Sequence, residues 1–177
     1  LRGLSISPDG RCLAAAGYSS DALLIFLPWR PVKPAGPTDD SGGSGMLQPG
    51  ALARDSPEAP LDGISETAFL PGSSCLDTEL VVAAAKNSSA LTLWRIEEAA
   101  GGQAELEMID AQTEYLAGVC AIAPVPGSLE FYCCNEDSGT ISMWSAETGE
   151  ALVLKSTFTP PPGCEGPTDI ALSPDGL

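Results

Sequence analysis

Residues 118–159 hold the pattern that most constrains this chain: four short apolar runs separated by three turn signals. The runs are Val119–Pro124, Leu129–Cys134, Thr140–Trp144 and Ala151–Phe158, and between them lie Pro126-Gly127-Ser128, Asn135-Glu136-Asp137-Ser138-Gly139 and Glu147-Thr148-Gly149-Glu150. Gly, Asn, Asp and Ser favour tight turns through positive φ or local side-chain hydrogen bonds. Short strands joined by short turns predict a four-stranded antiparallel meander. One such sheet cannot cover both of its faces, so it must stack on copies of itself.

The copies are present. Leu4–Ser7, Cys12–Gly17 and Ala22–Leu27 read as three strands split by Pro8-Asp9-Gly10-Arg11 and Tyr18-Ser19-Ser20-Asp21. Ile64–Leu70, Leu80–Ala85, Ala90–Ile96 and Ala104–Ile109 repeat the pattern, with Leu91-Thr92-Leu93-Trp94 matching Ile141-Ser142-Met143-Trp144. Ile170-Ala171-Leu172-Ser173-Pro174-Asp175-Gly176 restates Leu4-Ser5-Ile6-Ser7-Pro8-Asp9-Gly10. The chain opens at Leu1 inside one repeat and closes inside another, and is read as an incomplete array. The expected fold is all-β: about three four-stranded antiparallel units plus the first strand of another.

Asp137-Ser138-Gly139-Thr140-Ile141-Ser142-Met143-Trp144, followed by Ala146-Glu147-Thr148-Gly149-Glu150, resembles the end of a WD40 repeat, with Ser145 in place of the family's usual Asp. The resemblance implies a β-propeller fragment. Its divisions are a partial blade at 1–27, an insertion at 28–63, a second blade at 64–111, a third at 112–159 and the start of a further blade at 167–177. It also implies that Trp144 and Asp137 keep part of a buried hydrogen-bond network whose His is absent, and that Trp94 only packs.

From Pro28 to Gly63 the composition changes to a Pro-, Gly- and Ser-rich acidic tract, which has too little apolar surface to offset the entropy of ordering and is expected to be disordered. Trp29 and Arg30 are candidates for docking on the first blade. Ser41, Ser44 and Ser56 are candidates for phosphorylation, against the blander reading of low-complexity filler.

A net charge of −16 with eight Lys and Arg argues against direct nucleic-acid binding by this segment, because that rests on cationic contacts. Basic protein surfaces suit it better as partners. The absence of His removes Ser-His-Asp and Cys-His catalysis, and six Cys without Cys-x-x-Cys spacing make a zinc site unexpected. Ser41-Gly42-Gly43-Ser44-Gly45 lacks the following Lys of a phosphate loop, and the adjacent pairs Asp39-Asp40 and Glu97-Glu98 read as solvated turns. No catalytic, cofactor-binding or metal-binding residue is therefore assigned, and no cofactor. No apolar run approaches the roughly 20 residues that cross a membrane, so no membrane contact is expected, and an intracellular location, nuclear or cytoplasmic, is the default.

The first expectation for function is a non-catalytic scaffold that binds proteins, not an enzyme. Gln112-Thr113-Glu114-Tyr115 leading into the third unit, with Pro167-Thr168-Asp169-Ile170 after it, resembles the WD-repeat subunit of tRNA guanine-N7 methyltransferase. That implies a basic catalytic subunit as partner, which would itself bind tRNA and S-adenosylmethionine. The alternatives are a WD40 adaptor in ribosome assembly, ubiquitin ligation or signalling, and an enzymatic propeller whose site lies in blades beyond this segment.

Overall fold

A computed structural model describes residues 1–27, 48–71, 78–99, 103–146, 148–163 and 165–173. Among them the chain forms three four-stranded antiparallel meanders. The first sheet is β1 (Leu4–Ile6), β2 (Leu13–Gly17), β3 (Ala22–Leu27) and β4 (Gln48–Arg54). The second is β5 (Ile64–Phe69), β6 (Glu79–Ala85), β7 (Ala90–Ala99) and β8 (Gln103–Gln112). The third is β9 (Val119–Pro124), β10 (Glu130–Asn135), β11 (Thr140–Ser145) and β12 (Val153–Phe158). The all-β propeller architecture holds, and most expected strands match to within one or two residues.

Two apolar layers lie between the three sheets. Ala14, Ala16, Leu23 and Ile25 of the first sheet meet Phe69, Val81, Ala83 and Trp94 of the second. The opposite face of the second sheet, with Leu80, Val82, Ala84, Leu91 and Leu93, meets Val119, Phe131, Cys133 and Trp144 of the third. Strand β6 is covered on both faces, which is why Leu80-Val81-Val82-Ala83-Ala84-Ala85 reads as a continuous apolar run instead of an alternation.

A bulge recurs at one place. The pairing of third with fourth strand shifts between Ile25 and Phe26, between Leu93 and Trp94, and between Met143 and Trp144, so Phe26 stands where the two Trp residues stand. Each bulge increases the local twist of the sheet. The four-residue turns before β3, β7 and β11 also share a form, ending on a left-handed residue: Asp21 at φ 45°, Ser89 at φ 49° and Gly139 at φ 68°.

Three sequence expectations are changed by the structure. The stretch 28–63 is not disordered throughout, because Gln48–Arg54 completes the first sheet as its edge strand. Pro49 costs little at an edge beside a bulge, and Gly50 fits where a Cβ would come within 2.8 Å of Leu27 Cγ and 3.3 Å of Ala104 Cβ. Ser56, named as a phosphorylation candidate, closes an ordered turn by accepting the amide of Ala59 at 3.0 Å. Residues 167–177, expected to begin a further blade, carry no strand over their described part, 167–173, which lies against the third sheet at Cys120 and Cys134, with Gly166 before it approaching the Glu136 carbonyl. Trp29, Arg30, Asp39, Asp40, Ser41 and Ser44 lie outside the described residues.

Candidate functional site

The first strands of the three sheets stand side by side and form an inner rim. Ser5 Oγ and Thr67 Oγ1 are 3.2 Å apart between β1 and β5. Ser65 Oγ lies 3.3 Å from Val119 O between β5 and β9, and the Cys120 thiol lies 3.7 Å from Thr168 O between β9 and the 165–173 segment.

Glu66 sits on this rim, half-buried. Gly3, just before β1, makes room for it, since a Cβ there would come within 2.6 Å of Glu66 Oε1. The Thr67 amide donates to that oxygen at 3.1 Å. Burial pushes the Glu66 carboxyl above the ordinary range, the Asp169 carboxylate pushes it further, and the Thr67 amide opposes both. Glu66 belongs to the second sheet and Asp169, an exposed residue, to the segment after the third, and the charge of Asp169 reaches Glu66 in the folded chain, a relationship the sequence reading did not include. Glu97, by contrast, is exposed on β7 and plays no part here.

Lys86 bonds Glu136, and this contact raises the Lys86 pKa. The Cys120 thiol is pushed up by burial and by the Glu136 charge, with Lys86 opposing; burial pushes Cys134 up to about 11 and Cys133 up to about 12. Thiols so held are poor nucleophiles at neutral pH. Among the described residues no group of three or more Cys, Asp or Glu side chains is placed to hold a metal ion. A shallow cleft of about 240 Å³ lies elsewhere, on the open face of the first sheet, lined by Ile6, Gly10, Arg11, Cys12, Leu13, Phe26 and Leu27. It contains no carboxylate, and it is not where the perturbed groups meet.

The Trp network implied by the WD40 resemblance does not form. Asp137 packs its carboxyl against Gly118, and Trp144 Nε1, beside the Cys133 thiol, finds no acceptor of ordinary geometry among the described residues. Trp94, expected only to pack, donates to Thr92 Oγ1 at 2.8 Å.

No family model matches the chain, and no curated protein matches it. Among solved structures it is similar to a "putative 6-phosphogluconolactonase" from Bacteroides uniformis, at 17% identity and a TM-score of 0.70, covering 99% of this chain and 45% of that one. A protein from Lactobacillus plantarum matches at 14% identity and a TM-score of 0.70, covering 99% of this chain and 48% of that one. A protein from Bacteroides fragilis, with the same lactonase designation as the first, matches at 12% identity and a TM-score of 0.65 over 95% of this chain and 40% of that one. The chain thus spans less than half the length of the solved chains it matches, and at these identities the likeness is one of fold: a β-propeller.

The comparisons correct the family and function read from sequence. The matched propellers are not WD40 proteins or methyltransferase subunits, so the WD40 assignment and the tRNA-processing role are withdrawn. The expectation of a non-catalytic scaffold, not an enzyme, is likewise overturned by neighbours that carry an enzyme's name.

Proposed function

We propose that this chain is part of an enzymatic propeller that hydrolyses a lactone, with Glu66 and Asp169 as its acid–base pair. The observation that carries the reading is the Glu66 carboxyl, half-buried on the inner rim against Gly3 and raised in pKa, first by burial and to a lesser degree by the charge of Asp169. Paired carboxyl groups in unlike environments divide the roles of proton donor and acceptor. The lactonase designation of two solved neighbours supports the reaction class.

In this reading the Asp169 carboxylate takes a proton from water as the water oxygen bonds to the lactone carbonyl carbon. The Glu66 carboxyl then gives its proton to the ring oxygen as the carbon–oxygen bond breaks, leaving an open hydroxy acid. General acid–base assistance of this kind is worth roughly 10²–10⁴-fold in rate.

The test is lactone hydrolysis by the full-length protein, followed by acid release at constant pH. Glu66→Gln should lower kcat by about 10² or more, with Asp169→Asn lowering it as well. Undiminished turnover by either variant, or no hydrolysis of any lactone by the unaltered protein, would overturn the assignment.

A further inference from the structure

Glu66 lies in the second sheet, but its seat is built by the first. Gly3 supplies the slot: a Cβ there would stand 2.6 Å from Glu66 Cα, 2.6 Å from Glu66 Oε1 and 2.9 Å from the Thr67 nitrogen. An approach that close is open only to glycine, because the Glu66 Cα and the Thr67 nitrogen are backbone atoms and cannot swing aside. Gly3 is buried and is itself held on both sides, with the Arg2 amide donating to Ala16 O and the Ala16 amide donating to Gly3 O, both at 2.9 Å.

The slot is kept shut from the start of β5. The amide of Gly63, just before that strand, donates to Asp21 Oδ1 at 3.0 Å. Asp21 ends the turn before β3 in the left-handed region, at φ 45°, and its carbonyl accepts the Asp55 amide at 2.9 Å. On the other side of Glu66, Thr67 Oγ1 lies 3.2 Å from Ser5 Oγ, so β5 is tied to the first sheet both before and after the carboxyl. The same clamp recurs between the second and third sheets, where the Gly118 amide donates to Ser89 Oγ at 3.1 Å and Ser89 holds φ 49°. There the residue corresponding to Glu66 is Ala121, which has nothing to titrate.

We propose that Gly3 and Asp21 are positioning residues for the reaction: Gly3 gives the Glu66 carboxyl a slot away from water, and Asp21 holds the second sheet close enough for that slot to exist. The inference rests on the reading of Glu66 as proton donor. A carboxyl shielded from water keeps its proton to higher pH, because the charged form loses its hydration. The Asp169 charge acts on Glu66 in the same direction, and the Thr67 amide acts against both. Opening the slot hydrates the carboxylate and leaves Glu66 ionised over more of the working pH range, so less of the enzyme carries the proton it must give.

The test compares the two clamps. Asp21→Gly and Ser89→Gly each remove one acceptor, and glycine suits the left-handed turn position, which Gly139 already fills in the third sheet at φ 68°. In the full-length protein the Glu66 carboxyl is followed by carbon-13 NMR titration, and lactone turnover by acid release. Asp21→Gly should move the Glu66 titration down toward the ordinary carboxylate range and lower kcat about tenfold or more, while Asp21→Asn, which keeps the acceptor, should restore both. Gly3→Ala should move the titration the same way, and Ser89→Gly should leave it where it stands. An Asp21→Gly protein whose Glu66 titrates as in the unaltered protein would overturn the inference, as would a Ser89→Gly protein whose Glu66 shifts as far. Full turnover by Glu66→Gln would instead remove the proton-donor reading, and the NMR titration of Asp21→Gly would still decide whether the clamp holds the carboxyl in its slot.

Discussion

Ser65 and Cys120 occupy the same position in successive sheets. Each is the extra residue of a bulge between first and second strand, where the register shifts between Ile64 and Glu66 in one sheet and between Cys134 and Asn135 in the other. The single hydroxyl hydrogen of Ser65 is shared between Ala84 O at 3.2 Å in its own sheet and Val119 O at 3.3 Å in the next. Cys120 Sγ makes the corresponding contacts to Cys134 O and Thr168 O, both at 3.7 Å. The bulge frees a side chain to bridge sheets, and the choice of oxygen or sulfur sets how firmly it does so.

Removing the hydroxyl should therefore loosen the contact between the second and third sheets. Ser65→Ala is expected to destabilise the protein by about 1–2 kcal/mol in denaturant unfolding, the net worth of one or two such bonds. Cys120→Ser should act in the opposite sense where β9 meets Thr168, increasing hydrogen-exchange protection of the Thr168 and Ile170 amides severalfold.

Glu66 gives the fold a pH dependence of known sign. Its carboxyl is raised above the ordinary value of 4.5, so the folded chain holds that proton to higher pH than the unfolded chain does. The stability this contributes is fully present below pH 4.5 and is lost as pH rises through the folded-state pKa. Glu66→Gln keeps an acceptor for the Thr67 amide and removes the titration. It should be more stable than the unaltered protein at neutral pH, with the difference shrinking toward pH 4; thermal unfolding across that range reads it out.

Thr92 is buried and its hydroxyl accepts the Trp94 indole N–H. Thr92→Val keeps the shape but strands that donor in the layer between the first two sheets. A loss of about 1–3 kcal/mol is expected, measured by chemical denaturation.

Phe131 is fully buried between the second and third sheets. Phe131→Ala should cost about 3–5 kcal/mol, the usual range for emptying such a site. Chemical denaturation reads it out.

The meanders were legible because turn residues and apolar runs alternate at short, regular intervals, and that periodicity is what the backbone obeys. Strand β4 was hidden because Pro49 and Gly50 read as breakers, whereas at a bulged edge the one is tolerated and the other is required for close approach to Leu27. The family was misread for a related reason. A bulky aromatic at the bulge of the third strand is a packing requirement of these stacked sheets, met by Phe26 as well as by Trp94 and Trp144, so the Trp motif reported the fold and not the lineage. Glu66 and Asp169 were invisible as a pair, since nothing local marks two carboxyl groups in different repeats as neighbours.

The double coverage of the second sheet bears on how the chain is made. During synthesis on the ribosome, Leu80, Val82, Leu91 and Leu93 emerge well before Phe131 and Trp144, the side chains that will cover them. For that interval a finished sheet presents a bare apolar wall. Nascent chains halted near residue 112 should engage chaperones or self-associate, and those released after residue 158 should not.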